Sequence, residues 1–445
     1  MLVKTTNSSR LTLLDKVNVC LQDFGDHVMH LVFDVEGKVD VNQMNRAVRL
    51  SFIEHPIMAQ RLIYQRGQPR WIEWDGDTLD RAKFCHSLSS ENKETDIDKF
   101  LVQVVDFSLQ PMVLIQIIEG KTTTVCIKVS CVPIDGRGFL IYVERLLALY
   151  ESLNEPSNCQ PEVGDLTQRS TRALIRYFQP ADAIKLAISS FRNQLQDSIT
   201  ANNWRIPSQK NGQLDKAYYC HTLPPSSLGD IIRLRQIHQL TFNDILLAAY
   251  YLSLYDIIKP KQSKPFCVLN TYDLRRYEDN HAPDRVANYS SFINTNVPIV
   301  DDDCLISAAK KVQQSIGQRK ARYPGITEGP FIWPLLTLLP FQFGRFIVTR
   351  LLKHRGEKIP VFTNVGVIHT EKMRLNKQPI RNVKPFAPLE FPPKLAVTLA
   401  TSGNSITLSV GYSRNHFSDA MIKQLFLRME TLITDTDRTV RSNAA

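Results

Sequence analysis

Six residues in the stretch SCVPIDGRG carry groups that could do chemistry: Ser130, Cys131, Asp135, Gly136, Arg137 and Gly138. A free thiol titrates near about 8.5, so at neutral pH Cys131 would be mostly protonated and a poor general base. Its thiolate is a good nucleophile, and an acyl group can pass to it from a thioester at little chemical cost. Cys131 fits equally well as a small buried residue at the end of a strand. Ser130 can donate a hydrogen bond to an oxyanion or bond to backbone. Gly136 and Gly138 allow close approach to a substrate and offer an N–H to an oxyanion, or they serve a turn that needs positive φ. Arg137 between them can bind a carboxylate or phosphate, or face solvent.

The flanking pattern must place these groups. TTTVCIKVS reads as a strand that pairs with MVLIQIIEG through Gly120-Lys121, and Phe139 to Leu153 reads as an apolar helix. Upstream, Met29 to Val35 alternates as a strand closed by Gly37. Asp40 can cap a helix that runs to Phe52 and ends at His55-Pro56, and two strands follow at QRLIYQ and PRWIEW. A polar, Pro-bearing stretch from Asn154 to Asp165 and a loop near 210 bracket a subdomain boundary. The second half repeats the alternation. DKAYYCHTLP, KPFCVLNTYDLR, SFINTNVPIV, PVFTNVGVI and KLAVTLATSGNSITLSVGY read as strands. Helices follow: two within LGDIIRLRQIHQLTFNDILLAAYYLSLYDI, the second capped by Thr241, then CLISAAKKVQQSI and DAMIKQLFLRMETLI. The expected class is α/β, with helices packed on a mixed sheet in each half.

At 445 residues the chain is long enough for two subdomains, and 43% hydrophobic with 22% charged residues is a soluble globular composition. The formal charge of +10 has no aromatic-interleaved surface to go with it, which argues against nucleic acid. Basic residues cluster at 318–322 and 350–358, where an acidic partner or a phosphate-bearing cofactor would find them. Eight scattered cysteines (20, 85, 126, 131, 159, 220, 267 and 304) form no CxxC pair and no Cys/His cluster with metal spacing. With no signal-peptide core at the N-terminus, a reducing, cytoplasmic setting is expected, with no metal. Phe331 to Val348 is apolar, but Pro334, Pro340 and Arg345 interrupt it, so a buried or interfacial helical hairpin is expected rather than a membrane span. The sequence has no carboxylate pair, phosphate-cradling glycine loop or Ser-His-Asp arrangement, which argues against hydrolase, kinase and dinucleotide-dependent chemistry.

The stretch around SCVPIDGRG resembles the core motif of the CoA-dependent acyltransferase superfamily, His-His-x-x-x-Asp-Gly, with Ser130 and Cys131 at the two His places. That superfamily includes nonribosomal-peptide condensation domains, alcohol O-acyltransferases and plant BAHD enzymes. EHPIMAQRL, TFNDILLAAYYLSL, NTYDLRR, ANYSSFINTNVPI and FTNVGVI resemble further family elements in the same order along the chain. The resemblance implies two chloramphenicol-acetyltransferase-like subdomains, 1–175 and 176–445, arranged as a V around a central tunnel, with a latch-like segment near 361–368. It also implies that Asp135 pairs with Arg275 as a structural element, and that Asn288, Tyr289 and Asn364 lie near the site as substrate-binding residues. No bound cofactor is implied. The substrates would be an acyl-CoA or a phosphopantetheinyl thioester on an acyl carrier protein, and a small-molecule amine or alcohol acceptor, handled by a monomer. The basic runs would receive the carrier or the CoA phosphates.

Cys131 departs from the family at the position of the catalytic base, where imidazole suits the task by its pKa. Three readings follow. The chain is an acyltransferase that uses Cys131 covalently or borrows a base; or it cyclises or positions a thioester-bound chain; or it is an inactive binding module. Among the ten histidines, His27 and His30 flank the first strand three residues apart, and one of them could reach the tunnel and touch substrate. His55 reads as structural, His416 as a cap or surface residue, His238 as packing or surface, and His369 as a possible edge of the acceptor channel. The sequence singles out none of them as the missing base.

Overall fold

The computed structural model describes residues 8–154, 161–169, 177, 182–199, 206–209, 212–260, 265–278, 285–328, 332–355 and 359–444. Cys159, Phe331, the end of the second basic run at 356–358 and parts of the expected subdomain boundary lie outside them.

The first half runs β1 (Ser8–Arg10), α1 (Leu13–Leu21), β2 (Val28–Val35), α2 (Val41–Glu54), β3 (Gln60–Gln65), β4 (Gln68–Glu73), α3 (Gly76–Arg81), β5 (Cys85–Ser89), α4 (Lys93–Val102), β6 (Val113–Glu119), β7 (Thr123–Ser130) and α5 (Gly136–Ser152). Then come α6 (Asp182–Ile199), β8 (Lys216–Thr222), α7 (Ser226–His238), α8 (Phe242–Ile258), β9 (Phe266–Asp273), β10 (Ser290–Val297), α9 (Leu305–Lys320), α10 (Ile332–Leu338) and α11 (Phe341–Arg355). The chain closes with β11 (Val361–Ile368), β12 (Arg374–Leu375), β13 (Gln378–Pro379), β14 (Arg381–Phe386), β15 (Ala396–Ser402), β16 (Ser405–Ser413) and α12 (Asp419–Ala444).

Two mixed sheets organise the molecule. One has the order β14-β2-β7-β6-β5 and the other β10-β9-β11-β15-β16-β8. Each is covered by helices over its own apolar core. Phe33, Trp71, Ile127, Tyr142 and Leu146 belong to the first core, and Tyr250, Tyr251, Leu399, Phe426 and Met429 to the second. Residues beyond 175 also enter the first unit: β14 pairs antiparallel with β2, and Leu336, Phe341, Val348 and Ile368 join its core.

Local signals account for the element ends. Asp40 accepts the Gln43 N–H at the start of α2, and His55 with Pro56 ends it. A Thr12–Asp15 capping box starts α1, and a Thr241–Asp244 box starts α8. Helix α5 begins at Gly136, three residues before the expected start, because the Asp135 carboxylate caps it through the Gly138 N–H. The apolar segment 332–355 is a helical hairpin packed on α1, and among the described residues no helix is long and apolar enough to cross a membrane.

Candidate functional site

Strand β7 positions the motif. Its Val125, Ile127 and Val129 face the core beneath α5, and Cys131 continues that face, while Cys126, Lys128 and Ser130 alternate to the other. The β2–β7 register sets Val28 opposite Ser130, which brings His27 beside Cys131. The Cys131 N–H donates to the His27 carbonyl at 2.9 Å, and His27 Nδ1 lies 3.2 Å from Cys131 Sγ. Only 7% of Cys131 and 9% of His27 is exposed. Burial first, then the Asp26 and Glu390 carboxylates, pushes the thiol well above its ordinary range. Burial also lowers the pKa of His27, against the opposing pull of Glu390, the Leu21 backbone and Asp26. The resting pair is therefore a neutral thiol against a neutral imidazole, rather than a thiolate–imidazolium pair. His27 holds φ at 52°, a left-handed conformation uncommon outside glycine and sparsely populated strain of the kind that collects at functional sites.

The other end of the motif is a charged knot between the two halves. Arg275 Nη1 meets Asp135 Oδ2 at 2.8 Å and Nη2 meets Oδ1 at 3.1 Å. The same carboxylate accepts the Gly138 N–H at 2.7 Å and the Tyr289 N–H at 2.6 Å. Burial opposes the charge of Arg275, but Asp135 and Asp273 more than offset it and raise its pKa. Arg275 also donates to the Ala287 carbonyl at 3.0 Å and stacks 4.9 Å from the Tyr289 ring centre. Between these ends, buried Arg169 donates to the Pro133 carbonyl and to Asp15, each at 2.7 Å. The motif loop is thus tied at Cys131, Pro133 and Asp135.

No protein-family model matches this sequence, and no curated protein is significantly similar to it. Solved structures do match. The trichothecene 15-O-acetyltransferase of Fusarium sporotrichioides superposes with a TM-score of 0.72 at 14% identity, over 96% of this chain and 94% of that one. The first condensation domain of the CDA synthetase gives 0.69 at 12% identity, over 96% and 97%. The epimerization domain from the third module of tyrocidine synthetase B gives 0.67 at 13% identity, over 99% and 98%. The chain has the condensation-domain fold.

Within this condensation fold the remaining sequence candidates fall into different surroundings. Ser130 is 5% exposed and its Oγ accepts the Val132 N–H at 3.4 Å, a backbone role on the face away from Cys131. Neither Gly136 nor Gly138 has positive φ, which corrects the turn expectation. The reason at Gly138 is contact: a Cβ there would lie 2.8 Å from the Ala287 carbonyl oxygen. Its N–H is already bonded to Asp135. A Cβ on Gly136 would lie 3.1 Å from a Val365 methyl, so β11 closes over the start of α5. Arg137 is half-buried on the first turn of α5. Asn288 Nδ2 lies 3.5 Å from the Cys131 carbonyl, so it meets the motif through backbone. Tyr289 supports the Asp135–Arg275 knot through its N–H and ring. Asn364 accepts the Gly366 N–H at 2.9 Å and reaches Asn243 at 3.5 Å.

His30 does not join Cys131. It points to the opposite face of the sheet, edge-on to Tyr218 at 5.1 Å. His55 packs edge-on against Tyr142, His369 bonds Glu371, and His416 bonds Ser413. In the first basic run Arg319 is 1% exposed and bonded to Asp197, and Arg322 donates to Asn193, while Lys320 is exposed. Sequence reasoning listed His27 only as a substrate contact and missed it as the partner of Cys131; the one signal was its place just before strand β2. It missed Arg169 and Asp15 altogether. A cavity of about 140 Å³ lies beside the His27 segment, lined by Asp23, Phe24, Thr349, Lys353, Phe391, Pro392 and Lys394. A second, polar one lies at Tyr255, Asp256, Lys259 and Asp301, and neither is lined by Cys131.

Proposed function

We propose that this chain is a condensation-type acyltransferase that moves an acyl group from a CoA or carrier-protein thioester to a small amine or alcohol, as in natural-product biosynthesis, with Cys131 as covalent carrier. The observation that carries this reading is the 3.2 Å contact between Cys131 Sγ and His27 Nδ1. His27 supplies the base that this chain lacks at position 131, where the acyltransferase motif has a histidine and this sequence a cysteine.

The chemistry balances with these two groups. As Sγ attacks the thioester carbonyl, His27 Nδ1 takes the thiol proton. The donor C–S bond then breaks, and the leaving thiolate takes that proton, which leaves acyl-Cys131. The acceptor amine or hydroxyl attacks next and gives its proton to His27, which returns it to Sγ as the C–S bond to Cys131 breaks. Because both partners are neutral at rest and buried, proton transfer would accompany attack rather than precede it. The Asp135–Arg275 knot fixes the loop, and the family arrangement of a tunnel between subdomains would be the route for both substrates.

A second reading, a binding module without turnover, is favoured by the small exposure of the thiol and its place in the apolar core. Intact-protein mass spectrometry with a panel of acyl-CoA and acyl-carrier thioesters separates the two. An acyl adduct on the wild type and none on Cys131→Ser is expected. No adduct and no turnover with any thioester would replace the acyltransferase reading with the binding one.

A further inference from the structure

The hairpin of α10 and α11 packs inward through Leu336, Phe341 and Val348. Its outer side is apolar too. Leu338 at the turn is 81% exposed, Phe343 56% and Phe346 63%. The two phenylalanines are three residues apart on one helix face, next to the turn that carries Leu338. Three large apolar side chains exposed within nine residues of one hairpin point to an interaction site.

Cations frame the patch. Arg350 and Lys353 are exposed further along α11. Arg66 is exposed at the β3–β4 turn, where Gly67 lies against Gln342 of the hairpin. On the other side Lys16 donates to the Leu336 carbonyl at 2.9 Å, and burial together with neighbouring Arg10 and Arg70 lowers its pKa. The carboxylate bonded to the hairpin, Asp23, is neutralised by Arg345 at 2.8 Å. This arrangement, apolar tips inside a cationic frame, complements anionic headgroups above acyl chains. The exposed phenylalanines and the cations Arg350 and Lys353 follow one another along α11, so one helix side offers apolar groups and positive charge together, the pairing that an anionic lipid surface receives.

We propose that this hairpin seats the protein on an anionic lipid surface, with Leu338, Phe343 and Phe346 entering the boundary between headgroups and acyl chains and Arg66, Arg350 and Lys353 against lipid phosphates. The inference stands on this surface alone and does not depend on the acyl-transfer reading.

The test is sedimentation of the full chain with phosphatidylcholine vesicles, with and without one-fifth phosphatidylserine. Binding is expected to the anionic vesicles and to weaken with salt. The triple variant Leu338→Ser, Phe343→Ser, Phe346→Ser and the pair Arg350→Glu, Lys353→Glu should each weaken it by at least about tenfold. Circular dichroism and the melting temperature check that these exposed positions leave the fold intact. Absent binding to anionic vesicles, or equal binding by both variants, overturns the proposal. So does a wild-type dimer, seen by light scattering and abolished in the triple variant, or capture of an acidic carrier protein lost in the variants without any vesicle binding.

Discussion

His27 and Cys131 meet twice: carbonyl to N–H at 2.9 Å, and Nδ1 to Sγ at 3.2 Å. The backbone bond keeps the two residues side by side independently of the side-chain contact. Replacing His27 with Gln should therefore keep the fold and lower the rate of Cys131 acylation by about 10²–10⁴, the range for losing a positioned base. Because burial lowers the pKa of His27, the neutral ring persists below pH 6.5. The acylation rate should hold its neutral-pH value through pH 6.5, where an ordinary imidazole would have lost half. Adduct formation followed by mass spectrometry between pH 5.5 and 8 reads this directly.

The thiols should differ sharply in reactivity toward a small alkylating agent. Cys304 is exposed, at the N-cap of α9. Partial burial opposes its ionisation, but hydrogen bonds with Ser307 outweigh this and lower its pKa. Cys131 is buried and its pKa is raised. Iodoacetamide should label Cys304 more than about a hundredfold faster than Cys131, since each unit of pKa costs tenfold in thiolate. Peptide mapping against time measures the ratio; equal rates would contradict the neutral-thiol assignment.

Breaking the Asp135–Arg275 pair should damage the fold before it affects chemistry. Arg275→Ala leaves the buried Asp135 carboxylate without its cation, at a cost of about 3–5 kcal/mol. Asp135→Asn leaves Arg275 its 3.2 Å contact with Asp273 and should cost less. Urea unfolding should show this loss, whereas Cys131→Ser should unfold close to the wild type.

The two motif glycines should respond unequally to a methyl group. Gly138→Ala drives a Cβ to 2.8 Å from the Ala287 carbonyl oxygen, a backbone atom that cannot turn away, and should cost about 1–3 kcal/mol. At Gly136 the contact is a Val365 side-chain methyl at 3.1 Å, which can shift. Alanine there should cost less than about 1 kcal/mol. Parallel denaturation curves decide.

His55 makes stability fall with acid. Burial lowers its pKa to about 4, against the raising influence of Glu54. The unfolded chain binds a proton first as pH drops through 6.5, so stability rises with pH from about 4 to 6.5 and is level above. The full span at this residue is roughly 3 kcal/mol. His55→Phe should flatten the profile between pH 6.5 and 4.5 in denaturant titrations; an unchanged slope would assign the acid sensitivity to other groups.

The elements that the sequence disclosed are those with strong periodicity. Strands β2, β6 and β7 alternate over seven or eight residues, and α8 and α9 show capping or a sustained apolar face. The elements that escaped are polar or marginal. Helix α4 buries only Ile97, Phe100 and Leu101, β5 exposes four of its five residues, and β14 carries Pro385 in an edge strand. The site divides the same way. Cys131, Asp135 and Arg275 were readable from motif and order. His27 was not, because its approach to Cys131 depends on the β2–β7 register across about a hundred residues of chain. Arg169 and Asp15 reach the loop through equally distant contacts.

Strand β14 ties the timing of folding to the whole length of the chain. While the protein is being synthesised, β2 and β7 can pair early, but the outer edge of β2 stays bare until residues 381–386 have left the ribosome. An open edge beside Leu31 and Val32 is a template for another nascent copy, so this stretch of synthesis is where chaperone protection matters. A fragment cut anywhere before Arg381 would keep that edge permanently, which makes separately expressed halves prone to aggregate however well each half packs its own core.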